Sequence, residues 1–231
     1  PGAELHSQQA REKASSISIN KAEPIVKASD IAYILFNKTD LQLQKAFLVD
    51  FGFQVAEETP DALYMRGTGA LPYFYVAHKN AKINGFFGAG YSVNSEAELH
   101  RVSEICAQPI SPIDGPGGGQ RVRLHDPDGF IVDLVWGREL VDELPQRQLP
   151  AVNTPSEKVR VNTGIRTKTA PSPVHRLGHY VLSVSNFEES IQWYMRHLGI
   201  IPTDVQCLED GTPALAFNRL DKGATPADHH T

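Results

Sequence analysis

The sequence predicts an α+β fold assembled from tandem βαβββ modules, and three observations carry that prediction. A strand, a capped helix and a set of short strands recur in three units of about 50 residues each, the mark of an internal structural repeat. Turn-forming pairs, Asp-Gly above all, separate the runs that follow each helix. Helix entries carry Ser or Asn and two helix exits carry Gly, so the boundaries are written in side-chain chemistry.

Residues 1–29 are polar, rich in Gln, Lys, Ser and Ala, and predict a flexible lead-in with at most a short helix near Ser7–Ser15. Ile31–Phe36 (IAYILF) is apolar and β-branched enough for a buried strand. Asn37 or Thr39 then starts a helix from Asp40 to about Phe51, with Leu43, Ala46 and Phe47 on one face and Gly52 at its end. Phe53–Glu57, Ala62–Arg66 and Tyr73–His78 follow as strands, divided by Pro60-Asp61 and by Gly67–Pro72. The first module is complete at that point.

A second module repeats the order. Phe86–Val93 reads as a strand, and Ser95 with Glu98 forms a capping box for a helix through Cys106. The chain returns through Pro109-Ile110 and the loop Gly115–Gly119, and Arg121–His125 and Phe130–Trp136 pair across Asp126-Pro127-Asp128-Gly129. Residues 138–173 are rich in Pro, Lys, Arg and Thr without sustained period, which predicts a linker. A third module then opens with strand Leu177–Val184, a helix from Phe187 to about His197 capped by Asn186, and strand Gly199–Gln206. A turn at Asp210-Gly211 leads to strand Ala214–Asn218, and a last strand begins at His230.

With 231 residues and 41% hydrophobic side chains the chain can build a substantial core. A net charge of −5 without a Lys/Arg block argues against nucleic acid as partner. Only Cys106 and Cys207 are present, which argues against a disulfide scaffold and for a reducing compartment. No apolar run approaches the roughly 20 residues of a membrane span, and no signal-peptide core is visible. A soluble, cytoplasmic protein is expected.

His179 is the residue that asks for a chemical explanation. It projects from an apolar strand, where a histidine is more often a satisfied core residue than a ligand. The nine histidines and two cysteines show no zinc spacing, and the Gly-rich loop lacks the Lys and Ser/Thr of a phosphate cradle. Exposed apolar strands and open sheet edges favour a homo-oligomer.

Together, the tandem βαβββ modules, the DPDG turn before Ile131-Val132-Asp133-Leu134, the strand RLGHYVLSV (Arg176–Val184) and the terminal Asp228-His229-His230-Thr231 resemble the vicinal-oxygen-chelate superfamily. Within it the chain looks most like the type I extradiol ring-cleaving dioxygenases, over about Asp30 to Thr231. That resemblance implies a metal-free N-terminal domain of two modules (30–137), a linker (138–173) and the first part of a catalytic domain (174–231). It further implies Fe(II), with Mn(II), Zn(II) or Ni(II) as alternatives, and His179 as the first metal ligand. Ala32 and Gly88 hold the matching positions of the first two modules and cannot ligate; Asp133 matches a carboxylate position but is read as a non-metal residue. His230, preferred over His229, matches the acid/base histidine, imidazole being the side chain whose ordinary pKa lies near neutrality. Two further ligands have no counterpart before Thr231, so the chain is expected to be a piece of something longer and inactive alone. The implied reaction is cleavage of a small aromatic diol by O2, in aromatic-compound catabolism. A glyoxalase-like isomerase or lyase and a non-catalytic aromatic-ligand-binding protein are the alternatives on this fold.

Overall fold

Two units of identical strand order meet edge to edge in one eight-stranded mixed sheet. The computed structural model describes residues 23–146, 151–162, 164–166 and 169–230; the expected helix at 7–15 and the terminal residue 231 lie outside them. The first unit comprises β1 (Asp30–Lys38), α1 (Leu41–Phe51), β2 (Gln54–Glu58), β3 (Ala62–Arg66) and β4 (Tyr75–Lys79). The second comprises β5 (Gly85–Ser92), α2 (Glu96–Cys106), β6 (Ile110–Pro112), β7 (Gln120–His125) and β8 (Ile131–Trp136).

The sheet runs β2-β3-β4-β1-β5-β8-β7-β6, so each unit reads first, fourth, third, second strand from the centre outward. β1 is parallel to β4 and β5 to β8, while β1 and β5 run antiparallel at the centre, Ile34 opposite Ala89. Duplicated topology on this scale is what the repeat predicts. β6 is the one strand of the pair that the sequence did not announce, because three residues ending in Pro112 carry no alternation to read.

Local chemistry fixes the element ends. α1 is capped by Asp40, not by Asn37 or Thr39: its carboxylate accepts the Leu43 N–H at 2.9 Å, while Thr39 is engaged with Asn84. Gly52 ends α1 with φ +125°, and a Cβ there would fall 1.9 Å from the Ser172 carbonyl oxygen, so only glycine lets the linker cross. α2 is capped by Ser95, but the Glu98 carboxylate accepts from Asn94 N–H, one residue earlier than a regular capping box.

The buried face of α1 differs from the expected one. Leu41 and Leu48 are buried against Leu63, Met65 and Phe74, whereas Leu43 and Phe47 are 70% and 62% exposed. The helix is apolar on more than one side, so its periodicity does not single out the face that meets the sheet. Phe47→Gln should therefore change stability by less than about 0.5 kcal/mol, whereas Leu48→Ala should cost about 3 kcal/mol, as urea unfolding midpoints would show.

The third unit contributes α3 (Phe187–Leu198), β9 (Ile201–Cys207) and β10 (Pro213–Arg219), the last two forming a separate antiparallel pair. Asn186 caps α3 as the sequence indicates, and Gly199 closes it in the left-handed region. Tyr194 and Leu198 join one core cluster with Ile25, Val26, Leu99 and Val132. Ile25 and Ala28 donate backbone bonds to Arg196 and Leu198, supplying partners for the last carbonyls of α3. Asp126, a turn residue of the β7–β8 hairpin, is buried because Tyr194 of α3 donates to it at 3.0 Å.

Leu177–Val184 is not a strand, and no strand begins at His230. The segment keeps a two-residue alternation, with Tyr180, Leu182 and Val184 half-buried and His179, Val181 and Ser183 exposed. Its equivalents β1 and β5 are each paired on both sides, and among the described residues nothing offers 177–184 either neighbour. Without a ladder partner, a β-patterned run has no regular hydrogen bonding to adopt.

Candidate functional site

A cavity of about 520 Å³ opens between the 179–184 segment, α3 and β10. Phe187, Ile191, Leu215 and Phe217 supply apolar wall, and His179 and His230 supply its two imidazoles. Those rings stand 4.4 Å apart in an edge-on arrangement, and Phe217 lies 5.3 Å from His230. Two residues 51 positions apart are thus brought to one wall by the α3–β9–β10 excursion between them.

His229 points elsewhere. Its Nε2 lies 2.7 Å from the Asp204 carboxylate, its Nδ1 3.1 Å from Nδ1 of His230, and its carbonyl accepts from the Thr203 hydroxyl. In the His229 tautomer that donates Nε2–H to Asp204 and accepts at Nδ1, His230 donates from Nδ1 and keeps a free lone pair on Nε2. Asp228 is held at 3.0 Å by Arg176, which also reaches Asp30 at 3.5 Å. The Asp-His-His turn is therefore tied to β9 on one side and to the segment before His179 on the other.

Beneath the cavity lies a row of phenols. The hydroxyls of Tyr91 and Tyr180 are in hydrogen-bond contact, and Tyr194 continues the row to Asp126. Burial raises the pKa of all three, so they stay protonated and serve as a polar but uncharged floor. Neither this row nor the contacts of Asp204 and Arg176 were visible in the sequence, because the bonded partners lie 25 to 89 positions apart and no local spacing links them.

Among the described residues no group of three His, Cys, Asp or Glu side chains comes together to hold a metal ion. A 2-His-1-carboxylate face needs three protein donors. The two imidazoles at the cavity fall short of it, and the carboxylate nearest to them by contact, Asp204, is engaged with His229. The residues described here do not by themselves fit an Fe(II) centre. In the N-terminal pair, Ala32 is fully buried and a side chain at Gly88 would collide with Ile131, so neither position opens toward a ligand. Asp133 is buried in a fork with Arg123.

No protein-family model matches the sequence, and the comparison with curated proteins found no match. Solved structures do match. A Mn(II)-bound glyoxalase from Novosphingobium aromaticivorans superposes with a TM-score of 0.62 at 17% identity, over 78% of this chain and 56% of its own. Homoprotocatechuate 2,3-dioxygenase from Arthrobacter globiformis gives a TM-score of 0.62 at 20% identity, over 87% of this chain and 59% of its own. The Brevibacterium fuscum homoprotocatechuate 2,3-dioxygenase, solved as an anaerobic complex with 3,4-dihydroxyphenylacetate, gives 0.63 at 18% identity, over 85% and 59%. The chain thus spans less than two thirds of the length of these proteins.

Proposed function

We propose, from the premise that this chain has the vicinal-oxygen-chelate fold shared by extradiol dioxygenases and a glyoxalase, that it forms part of an enzyme cleaving a catechol-type ring with O2. The observation that carries the reading is the placement of two imidazoles, His179 and His230, face to edge on the wall of one half-apolar cavity. His179 is the donor this chain would offer to Fe(II), or to Mn(II), Zn(II) or Ni(II), with the remaining donors supplied by protein outside the described residues. In the tautomer in which His229 donates to Asp204, His230 would carry its proton on Nδ1 and a lone pair on Nε2, and so could take a proton from a diol hydroxyl. Phe187, Ile191 and Phe217 offer an apolar surface to a planar ring.

The test is oxygen uptake by the iron-loaded full-length enzyme of which this chain would be part, given catechol or 3,4-dihydroxyphenylacetate and read together with the absorbance of the ring-opened product. Diol-dependent oxygen consumption is the expected result. Isomerisation of a hemithioacetal without oxygen uptake would favour the glyoxalase-like reading, and ring binding without turnover the ligand-binding one.

A further inference from the structure

We propose that α1 is a docking surface whose exposed stripe, Leu43, Phe47 and Phe51, is covered by the helix of a further βαβββ unit of the same polypeptide, outside residues 1–231. The proposal uses neither His179 nor His230 and stands apart from the ring-cleavage reading.

It rests on the duplication. α1 and α2 hold the same place between the first and second strands of their units, each is 11 residues long, and each is capped by a side chain that accepts from its third residue. Counted from the caps Asp40 and Ser95, Leu43, Phe47 and Phe51 are the third, seventh and eleventh residues and match Glu98, Val102 and Cys106. Spaced by four, each set runs along one side of its helix. That side has opposite surroundings in the two helices. Val102 is 1% exposed and Cys106 packs against the same cluster, which includes Tyr194 and Leu198 of α3 with Ile25 and Val26. Burial raises the pKa of the Cys106 thiol, and Arg196 of α3 is near enough to oppose it. Leu43, Phe47 and Phe51 are 70%, 62% and 54% exposed. The third unit therefore covers one of two equivalent helix faces and leaves the other bare.

The bare face continues the core. The rings of Phe47 and Phe51 lie 6.3 Å apart, and Phe51 is 5.9 Å from Phe53, which packs against the cluster of Leu48, Leu63 and Phe74. A contiguous apolar patch of this kind marks a contact surface. Its three side chains expose roughly 350 Å², so two copies meeting there would bury about 700 Å², below the roughly 1,000 Å² that separate chains need. A tethered unit needs less, because its effective concentration is high. The segment 177–184 calls for the same addition, since among the described residues it lacks both of the strand neighbours that β1 and β5 have. A unit set across it as β5 is set across β1, by the same two-fold relation that links the first two units, brings its own helix to α1 as α3 comes to α2.

Oxidative footprinting of the full-length protein, read by mass spectrometry against its urea-unfolded form, tests the surface without reference to activity. Leu43, Phe47 and Phe51 should be modified at least about tenfold more slowly than in the unfolded form, at every protein concentration. Phe47→Gln, near neutral where the stripe faces water, should lower the thermal midpoint of the full-length protein by about 3 °C or more, because it empties a packed contact. Modification of the three side chains at the unfolded rate, or a midpoint unmoved by Phe47→Gln, would overturn the proposal. Protection that disappears on dilution, or on deletion of residues 1–22, would overturn it as well, making the cover a second copy or the N-terminal segment.

Discussion

Asp133→Ala should lower the unfolding free energy by about 3 kcal/mol, as much as emptying a core position. The carboxylate is fully buried and answers three donors, Arg123 Nε, an Arg123 terminal nitrogen and the Tyr33 hydroxyl. Its removal strands all of them, and the cost of an orphaned buried donor exceeds the net worth of the bond it made. Arg123 is 36% exposed, so water can take over part of its solvation, which holds the figure at the low end for buried pairs. Arg123→Met in the Asp133→Leu background should recover part of the loss, since two apolar side chains leave no uncompensated charge. Urea midpoints with an unchanged m-value would establish this. A loss of under about 0.5 kcal/mol for Asp133→Ala would mean the fork contributes nothing net.

That pair also shows what the sequence could and could not disclose. The repeat, the helix caps at Ser95 and Asn186 and the Asp-Gly hairpin are local, and each rests on chemistry within a few residues. Asp133 reads locally as an unremarkable hairpin residue. Its importance comes from Tyr33, a hundred positions away, which the fold and no local pattern brings beside the hairpin. The same distinction explains the misread face of α1 and the unformed strand at 177–184. Apolar residues on several sides let tertiary contact choose among faces, and strand propensity without a neighbouring strand yields no ladder. His179 and His230 were nameable from the resemblance alone. Their common wall, the Asp204 contact that turns His229 away and the Arg176 tie to Asp228 emerge only from the folded chain.

On the proposed reaction, in the full-length enzyme, His230→Gln should reduce turnover by about 10²–10⁴-fold, the range ordinary for loss of a positioned acid/base group, while diol affinity changes little. Glutamine preserves a hydrogen-bonding side chain of similar reach but can neither take up nor release a proton at ordinary pH. His229→Gln should cost far less, because that ring faces Asp204 rather than the cavity. It should still be felt, since His229 Nδ1 is the acceptor that holds the His230 proton on Nδ1 and leaves Nε2 free. A positioning role predicts a loss of about tenfold in kcat that His229→Asn, whose shorter amide can still accept near Nδ1, partly restores. Single-turnover kinetics at matched metal loading separates these cases from failure to bind metal. If His229→Gln proved as damaging as His230→Gln at equal loading, the proton-transfer assignment would pass to His229. The cavity wall seen here would then have to rearrange when the diol binds.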